Sequence, residues 1–134
     1  MATQNIFTYG SLMFPTIWAK VVGTSYETIA GTIEGFQRLK LKDESFPGLC
    51  AGEGKIQGVV YLDVQPEDIL KIDEFEGDYY EKINVLVNHE DSRQIAASAY
   101  IVRPEFLHLL TDKEWTVEEF MQDDVVNFVQ QYFD

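Results

Sequence analysis

The sequence is short of cysteine and of basic residues, and it has no long apolar run. A lone cysteine, Cys50, cannot close an internal disulfide, so the fold has to stand on its core, and a reducing cytosol is the compartment that fits. Only 10 Lys and Arg stand against 23 Asp and Glu, a formal net charge of −13. That balance repels phosphate backbones and anionic bilayers, which argues against nucleic-acid and membrane partners. No apolar stretch approaches the length of a membrane span, and Met1-Ala2-Thr3-Gln4-Asn5 lacks the basic and apolar regions of a signal peptide. What is present is a packable interior. Hydrophobic residues make up 46% of 134 positions, with 9 Phe and 7 Tyr, and this length fits a single domain over 1–134.

Local patterns predict a strand-rich chain. Asn5–Tyr9 reads as a first strand stopped by Gly10-Ser11, and Pro15 opens a helix through about Val22 that Gly23 closes. Thr28–Lys42 is β-like, and its last residues alternate so that Arg38, Lys40 and Lys42 share a face. That face is either a cationic rim or a plain solvated one. Glu44–Gly54, with Pro47, Gly48, Gly52 and Gly54, reads as a loop, and Ile56–Asp63 as a strand. Pro66 opens a helix ending near Glu76, with Gly77 as its C-terminal cap. Strands follow at Tyr80–Val87 and Gln94–Val102, joined by Asn88-His89-Glu90-Asp91-Ser92. A terminal amphipathic helix carries Val117, Phe120, Met121, Val125, Phe128 and Tyr132, started by a Thr116/Glu119 capping box. The fold class expected is α+β, a small mixed β-barrel or curled sheet with short flanking helices and a C-terminal helix.

One carboxylate stands out. On a wheel of about 100° per residue, Glu76 falls on the arc of Ile69 and Ile72, opposite Glu67, Lys71 and Glu74. Burial and the negative end of the helix dipole would both raise its pKa, suiting it to take and return a proton near neutrality. The wheel alone leaves the alternative that Glu76 bends out to water from a frayed end. Asp73, near the same arc, shares the site, caps a neighbouring backbone group, or is a solvated rim residue. Tyr9-Gly10-Ser11-Leu12, between a strand and a helix start, is either an ordinary turn or a row of N–H groups able to hold a carboxylate or carbonyl oxygen. Cys50, His89 and His108 lack the context of a thiol nucleophile and the spacing of a metal site, and Ser11 lacks a nucleophile elbow. Trp115 and Phe120 read as packing anchors.

Taken in order, Tyr9-Gly10-Ser11-Leu12, Gly35-Phe36 with Arg38, Phe46-Pro47-Gly48-Leu49, Gly58-Val59-Val60-Tyr61, Asp73-Glu74-Phe75-Glu76-Gly77, Tyr80, Tyr100 and Glu114-Trp115 resemble the gamma-glutamylcyclotransferase-like superfamily, nearest its avirulence-induced-gene-like branch. The resemblance implies a small mixed barrel and a cofactor- and metal-independent acyl transfer. In that reaction a γ-glutamyl amine or amino acid, the expected small-molecule partner, cyclises to 5-oxoproline and releases the amine. It places Glu76 as acid/base, the Tyr9–Leu12 backbone at the γ-glutamyl moiety, and Tyr100 beside the pocket. Members acting on γ-glutamyl amino acids often carry Asn where Leu12 stands, so this chain is closer to the amine-directed and avirulence-type branches. A rival reading keeps the pocket for binding a γ-glutamyl or amide-bearing ligand without turnover, and a third makes it a vestige in an interaction domain. A costly buried carboxylate argues for chemistry over both.

Overall fold

The computed structural model describes residues 2–44, 46–90 and 93–124. Five strands close a barrel: β1 (Gln4–Thr8), β2 (Thr28–Leu41), β3 (Pro47–Val64), β4 (Tyr80–Asn88) and β5 (Gln94–Val102). Around the barrel the order is β3-β1-β5-β4-β2, and β2 pairs back to β3. All neighbours are antiparallel except β1 and β5, which run parallel with Ile6 opposite Ser98. A sixth strand, β6 (Leu110–Glu114), lies outside the closed ring on the far half of β2, with Leu41 opposite Leu110. Helices α1 (Pro15–Val21) and α2 (Pro66–Glu76) flank the barrel. Among the described residues no helix is long and apolar enough to cross a membrane.

Period-two alternation sorts side chains into two cores. Phe7, Ile33, Leu49, Val60, Val87 and Ala99 form one, drawn from the strands and joined by Tyr9 of the loop after β1. Their neighbours Ile6, Tyr61 and Tyr100 turn the other way and meet Ile17 and Trp18 of α1 and Ile69 and Ile72 of α2. Trp115 and Phe120 are fully buried in this second core, as packing anchors should be.

The segment read as a loop over Glu44–Gly54 is strand from Pro47 onward, nearly the first half of β3. Its glycines mark close approach. A Cβ on Gly48 would sit 2.4 Å from Val102 Cγ2, where the tip of the β2–β3 hairpin folds over β5. Near the bend, Phe36 faces both Ala51 and Gly54, a bulge that gives the hairpin its two directions.

The capping box is half formed. Thr116 Oγ1 accepts from Glu119 N–H at 3.2 Å, but the Glu119 carboxylate goes to Lys40 at 2.8 Å. The helix that follows, α3 (Val117–Glu119), widens into a π-turn over Phe120–Asp124. Val125, Phe128 and Tyr132 lie outside the described residues.

Candidate active site

Proline and glycine fix the two ends of α2. Pro66 begins it, where the missing N–H costs nothing, and Gly77 ends it with φ +76°, a backbone few other residues accept. The Gly77 N–H caps the carbonyl of Asp73, and the chain turns at once into a short helix over Gly77–Tyr79. Glu76 is thereby the last residue before the turn. It lines a cavity of about 410 Å³ bounded by the end of β1, the Tyr9–Leu12 loop, the hairpin tip, the end of α2, and Tyr80, Tyr100 and Phe106. The outward-splayed alternative does not hold. Glu76 is half-buried, and loss of water around its carboxyl, with a smaller push from the Asp73 charge, raises its pKa to about 8. Among the described residues no hydrogen bond to this carboxylate is found, so its oxygens are open to the cavity.

Across from Glu76 the Tyr9–Leu12 loop is pinned at every carbonyl. Arg38 Nη1 donates to Tyr9 O at 2.8 Å, Met13 N to Gly10 O at 3.0 Å, Phe14 N to Ser11 O at 3.1 Å, and Tyr61 Oη to Leu12 O at 2.8 Å. With the acceptors satisfied from behind, the N–H groups of Gly10, Ser11 and Leu12 have no protein partner among the described residues. All three residues line the cavity. Gly10 has negative φ (−130°) and so does not form the left-handed turn that glycine permits. Glycine is required there for space, since a Cβ would stand 2.9 Å from Pro47 Cγ.

Two phenols complete the wall. Tyr9 is buried and donates to Tyr100 O at 2.5 Å, and burial followed by the Glu76 charge holds its pKa well up. Tyr100 donates its own hydroxyl to Asp73 Oδ1, and burial first, then Asp73 and Glu76, raise it too. Both remain neutral hydrogen-bond donors at any physiological pH. Asp73 is thus neither free nor catalytic by contact; it receives Tyr100, with Lys82 Nζ at 3.9 Å. All six residues singled out from sequence, Tyr9, Gly10, Ser11, Leu12, Glu76 and Tyr100, meet at this one cavity.

Several contributors were not legible in advance. Arg38 is no rim cation. It is half-buried, its guanidinium lies 5.2 Å from the Trp115 ring centroid, and burial lowers its pKa. Arg38→Ala is expected to remove the donor to Tyr9 O and the cover of Trp115 together, at a cost of about 2–3 kcal/mol. An unchanged urea midpoint would contradict that. Tyr80, buried, donates to Pro47 O at 2.6 Å and ties the hairpin tip to the cavity. Phe46 and Phe75 stood in motifs of the resemblance without a role, Tyr79 and Phe106 in none, and no local spacing relates the four. The histidines lie elsewhere: His89 Nδ1 is 2.7 Å from Ala30 O on the barrel, and His108 is exposed in the turn after β5. Cys50 sits in β3, where burial raises its thiol pKa, the wrong direction for a nucleophile.

The comparisons with known proteins fall on the same architecture. "AIG2-like protein A" of Arabidopsis thaliana is 27% identical over 135 residues, covering 96% of this chain and 79% of the relative. A solution structure of an Arabidopsis thaliana protein superposes with a TM-score of 0.72 at 26% identity, over 97% of this chain and 79% of that one. A structure titled "Gamma-glutamyl cyclotransferase" shares the fold with a TM-score of 0.68 at 15% identity, over 78% of this chain and 73% of its own. The family profile described as "Gamma-glutamyl cyclotransferase, AIG2-like" matches residues 6–117. Since that match runs from β1 through the whole barrel to the first residue of α3, the chain belongs to the AIG2-like gamma-glutamyl cyclotransferase family.

Proposed function

We propose that this chain cyclises γ-glutamyl amides to 5-oxoproline and releases the amine, with Glu76 as the single proton carrier. The observation that carries the reading is a half-buried carboxyl that has no hydrogen-bond partner among the described residues and lines one cavity together with the Gly10–Leu12 loop, whose N–H groups are likewise unpaired among those residues.

The reaction is internal to the substrate. Its α-ammonium gives a proton to the Glu76 carboxylate, and the freed amine attacks the γ-carbonyl carbon. A C–N bond closes the five-membered ring, and the carbonyl π pair moves onto oxygen. That pair then returns, and the original amide C–N bond breaks as Glu76 hands its proton to the departing nitrogen. The carboxylate so freed takes the second proton from the new ring nitrogen, which becomes the lactam N–H, and passes it to the released amine, which leaves as an ammonium. No redox change occurs, and protons balance. Holding the substrate folded, so that amine and carbonyl meet, supplies much of the acceleration. The N–H groups of Gly10, Ser11 and Leu12 supply donors for oxygens of the γ-glutamyl moiety, in a chain otherwise short of positive charge. A carboxyl near pKa 8 suits both directions of transfer, because neither the accepting nor the donating form is scarce near neutral pH.

The test is direct. The protein is incubated with γ-glutamyl amines and γ-glutamyl amino acids, and 5-oxoproline is measured. Formation of 5-oxoproline with matching amine release supports the reading. Saturable binding with no product would leave the pocket as a binding site and overturn the proposed activity.

A further inference from the structure

The cavity has two chemically different halves. Its inner wall is made of buried residues: Ile6, Phe7, Thr8, Tyr9, Leu12, Tyr80 and Tyr100 are each no more than 7% exposed. Glu76, itself half-buried, and the N–H groups of the Gly10–Leu12 loop line the same cavity, and on the cyclotransferase reading they are the polar partners of the γ-glutamyl moiety. The outer half is different. Phe46, Phe75 and Phe106 are half-buried and Tyr79 is exposed, and all four line the cavity. Tyr79 and Phe106 already meet edge to face, with centroids 5.0 Å apart and planes at 76°, which fixes one side of the opening.

These four rings come from three separate parts of the chain: the hairpin tip, the end of α2 with the turn after it, and the turn after β5. Phe46, Phe75 and Phe106 pack one side against the second core yet stay only half-buried, unlike Trp115 and Phe120, which are at most 1% exposed. A half-exposed aromatic cluster continuous with a polar site offers apolar area to whatever extends out of that site. The volume of about 410 Å³ is within the range that encloses whole small ligands, which leaves room beyond a glutamyl unit. Charge points the same way. Among the described residues no Lys or Arg lines the cavity, whereas Glu76 and Asp78 do. The cations nearest in the lining of the adjoining groove, Lys82 and Arg103, face Asp73 and Glu81, each at 3.9 Å.

From this we infer that the nitrogen released by the site carries an apolar arm, aromatic or long aliphatic, which lies among Phe46, Phe75, Tyr79 and Phe106. The inference rests on the cyclotransferase reading for the placement of the γ-glutamyl half. An arm ending in a carboxylate would meet Glu76 and Asp78 with no cation to offset them, and a methyl arm would leave the rings uncovered.

Dissociation constants for γ-glutamyl benzylamide, hexylamide, methylamide and γ-glutamylglycine, measured by calorimetry on Glu76→Gln, test the inference apart from turnover. The benzyl and hexyl compounds are expected to bind at least about tenfold more tightly than the methyl compound, the gain expected of an apolar subsite of a few carbons. Phe106→Ala and, separately, the milder Tyr79→Ser are expected to reduce that ratio and leave methylamide binding in place. Equal affinities, a preference for γ-glutamylglycine, or no binding of any compound would each overturn the inference. The same compounds are assayed with the wild-type chain for 5-oxoproline. Tight benzylamide binding without product sinks the cyclotransferase reading and keeps the apolar subsite. Product formed with no benzyl or hexyl preference does the reverse.

Discussion

Glu76→Gln is expected to lower kcat for 5-oxoproline formation by about 10² to 10⁴, the usual contribution of a positioned proton carrier. The substitution is close to isosteric, so substrate should still enter the cavity and the loss should fall on kcat more than on KM. Glutamine can neither take the ammonium proton nor return one to the leaving nitrogen. Tyr9 and Tyr100 cannot stand in as bases, because burial and the neighbouring acids hold both phenols neutral. What survives should be the part of catalysis that comes from folding the substrate against the Gly10–Leu12 loop.

The same variant should be the more stable protein at alkaline pH. Folding raises the Glu76 carboxyl from 4.5 to about 8. Between those values the folded chain holds a proton that the unfolded chain has released. Stability therefore falls as pH climbs through this window, and the loss is complete above about 8. Each tenfold change in proton affinity is worth about 1.4 kcal/mol. Because solvent still reaches this half-buried group, we take about 2–3 kcal/mol as the net penalty. Glutamine carries no charge to desolvate. Glu76→Gln should thus exceed wild type by that amount in urea unfolding at pH 9, with the gap closing toward pH 4.5. The chain's charge of −13 makes both proteins lose stability on the alkaline side, but the difference between them isolates Glu76. A gap independent of pH would mean that the carboxyl is not tuned by folding.

These two effects belong together. A carboxyl held at a cost in stability and with no hydrogen-bond partner among the described residues is what the proposed proton carrier requires, stability being exchanged for chemistry.

How much of this was legible in the sequence depended on whether the signal was local. The bounds of α2 were, because Pro66 and Gly77 act on the backbone within one turn, whereas the 3.6-residue period put Glu76 on the apolar arc but left open whether it bends out to water at the helix end. Strands β4 and β5 were also readable from composition and their polar turn. The start of β3 was not, since Gly48 and Gly52 imitate a loop when the neighbours that crowd them are out of view. Strand β6, Leu-Thr-Asp-Lys-Glu, has almost no β pattern of its own and exists by pairing with β2. Arg38 looked like one of three cations on a strand face. Its job depends on a carbonyl 29 positions away, which no local pattern encodes. The aromatic opening is the extreme case, with four rings brought together only when the barrel closes. The ordered resemblance to a known family supplied what periodicity lacked, by placing Tyr9–Leu12, Glu76 and Tyr100 at one site before any contact between them was visible.

The central claim is that one carboxyl, tuned by burial, moves the proton in both directions. The measurement that bears on it most directly is the pH dependence of kcat/KM for 5-oxoproline release from γ-glutamyl benzylamide, from pH 5 to 10, in wild type and Glu76→Gln. In wild type the rate should rise with a midpoint near 8 as Glu76 ionises, and fall again once the substrate ammonium loses its own proton. The variant should show no such rising limb and should stay far below wild type throughout. A wild-type limb centred near the ordinary carboxylate value of 4.5, or turnover in Glu76→Gln equal to wild type, would contradict the account.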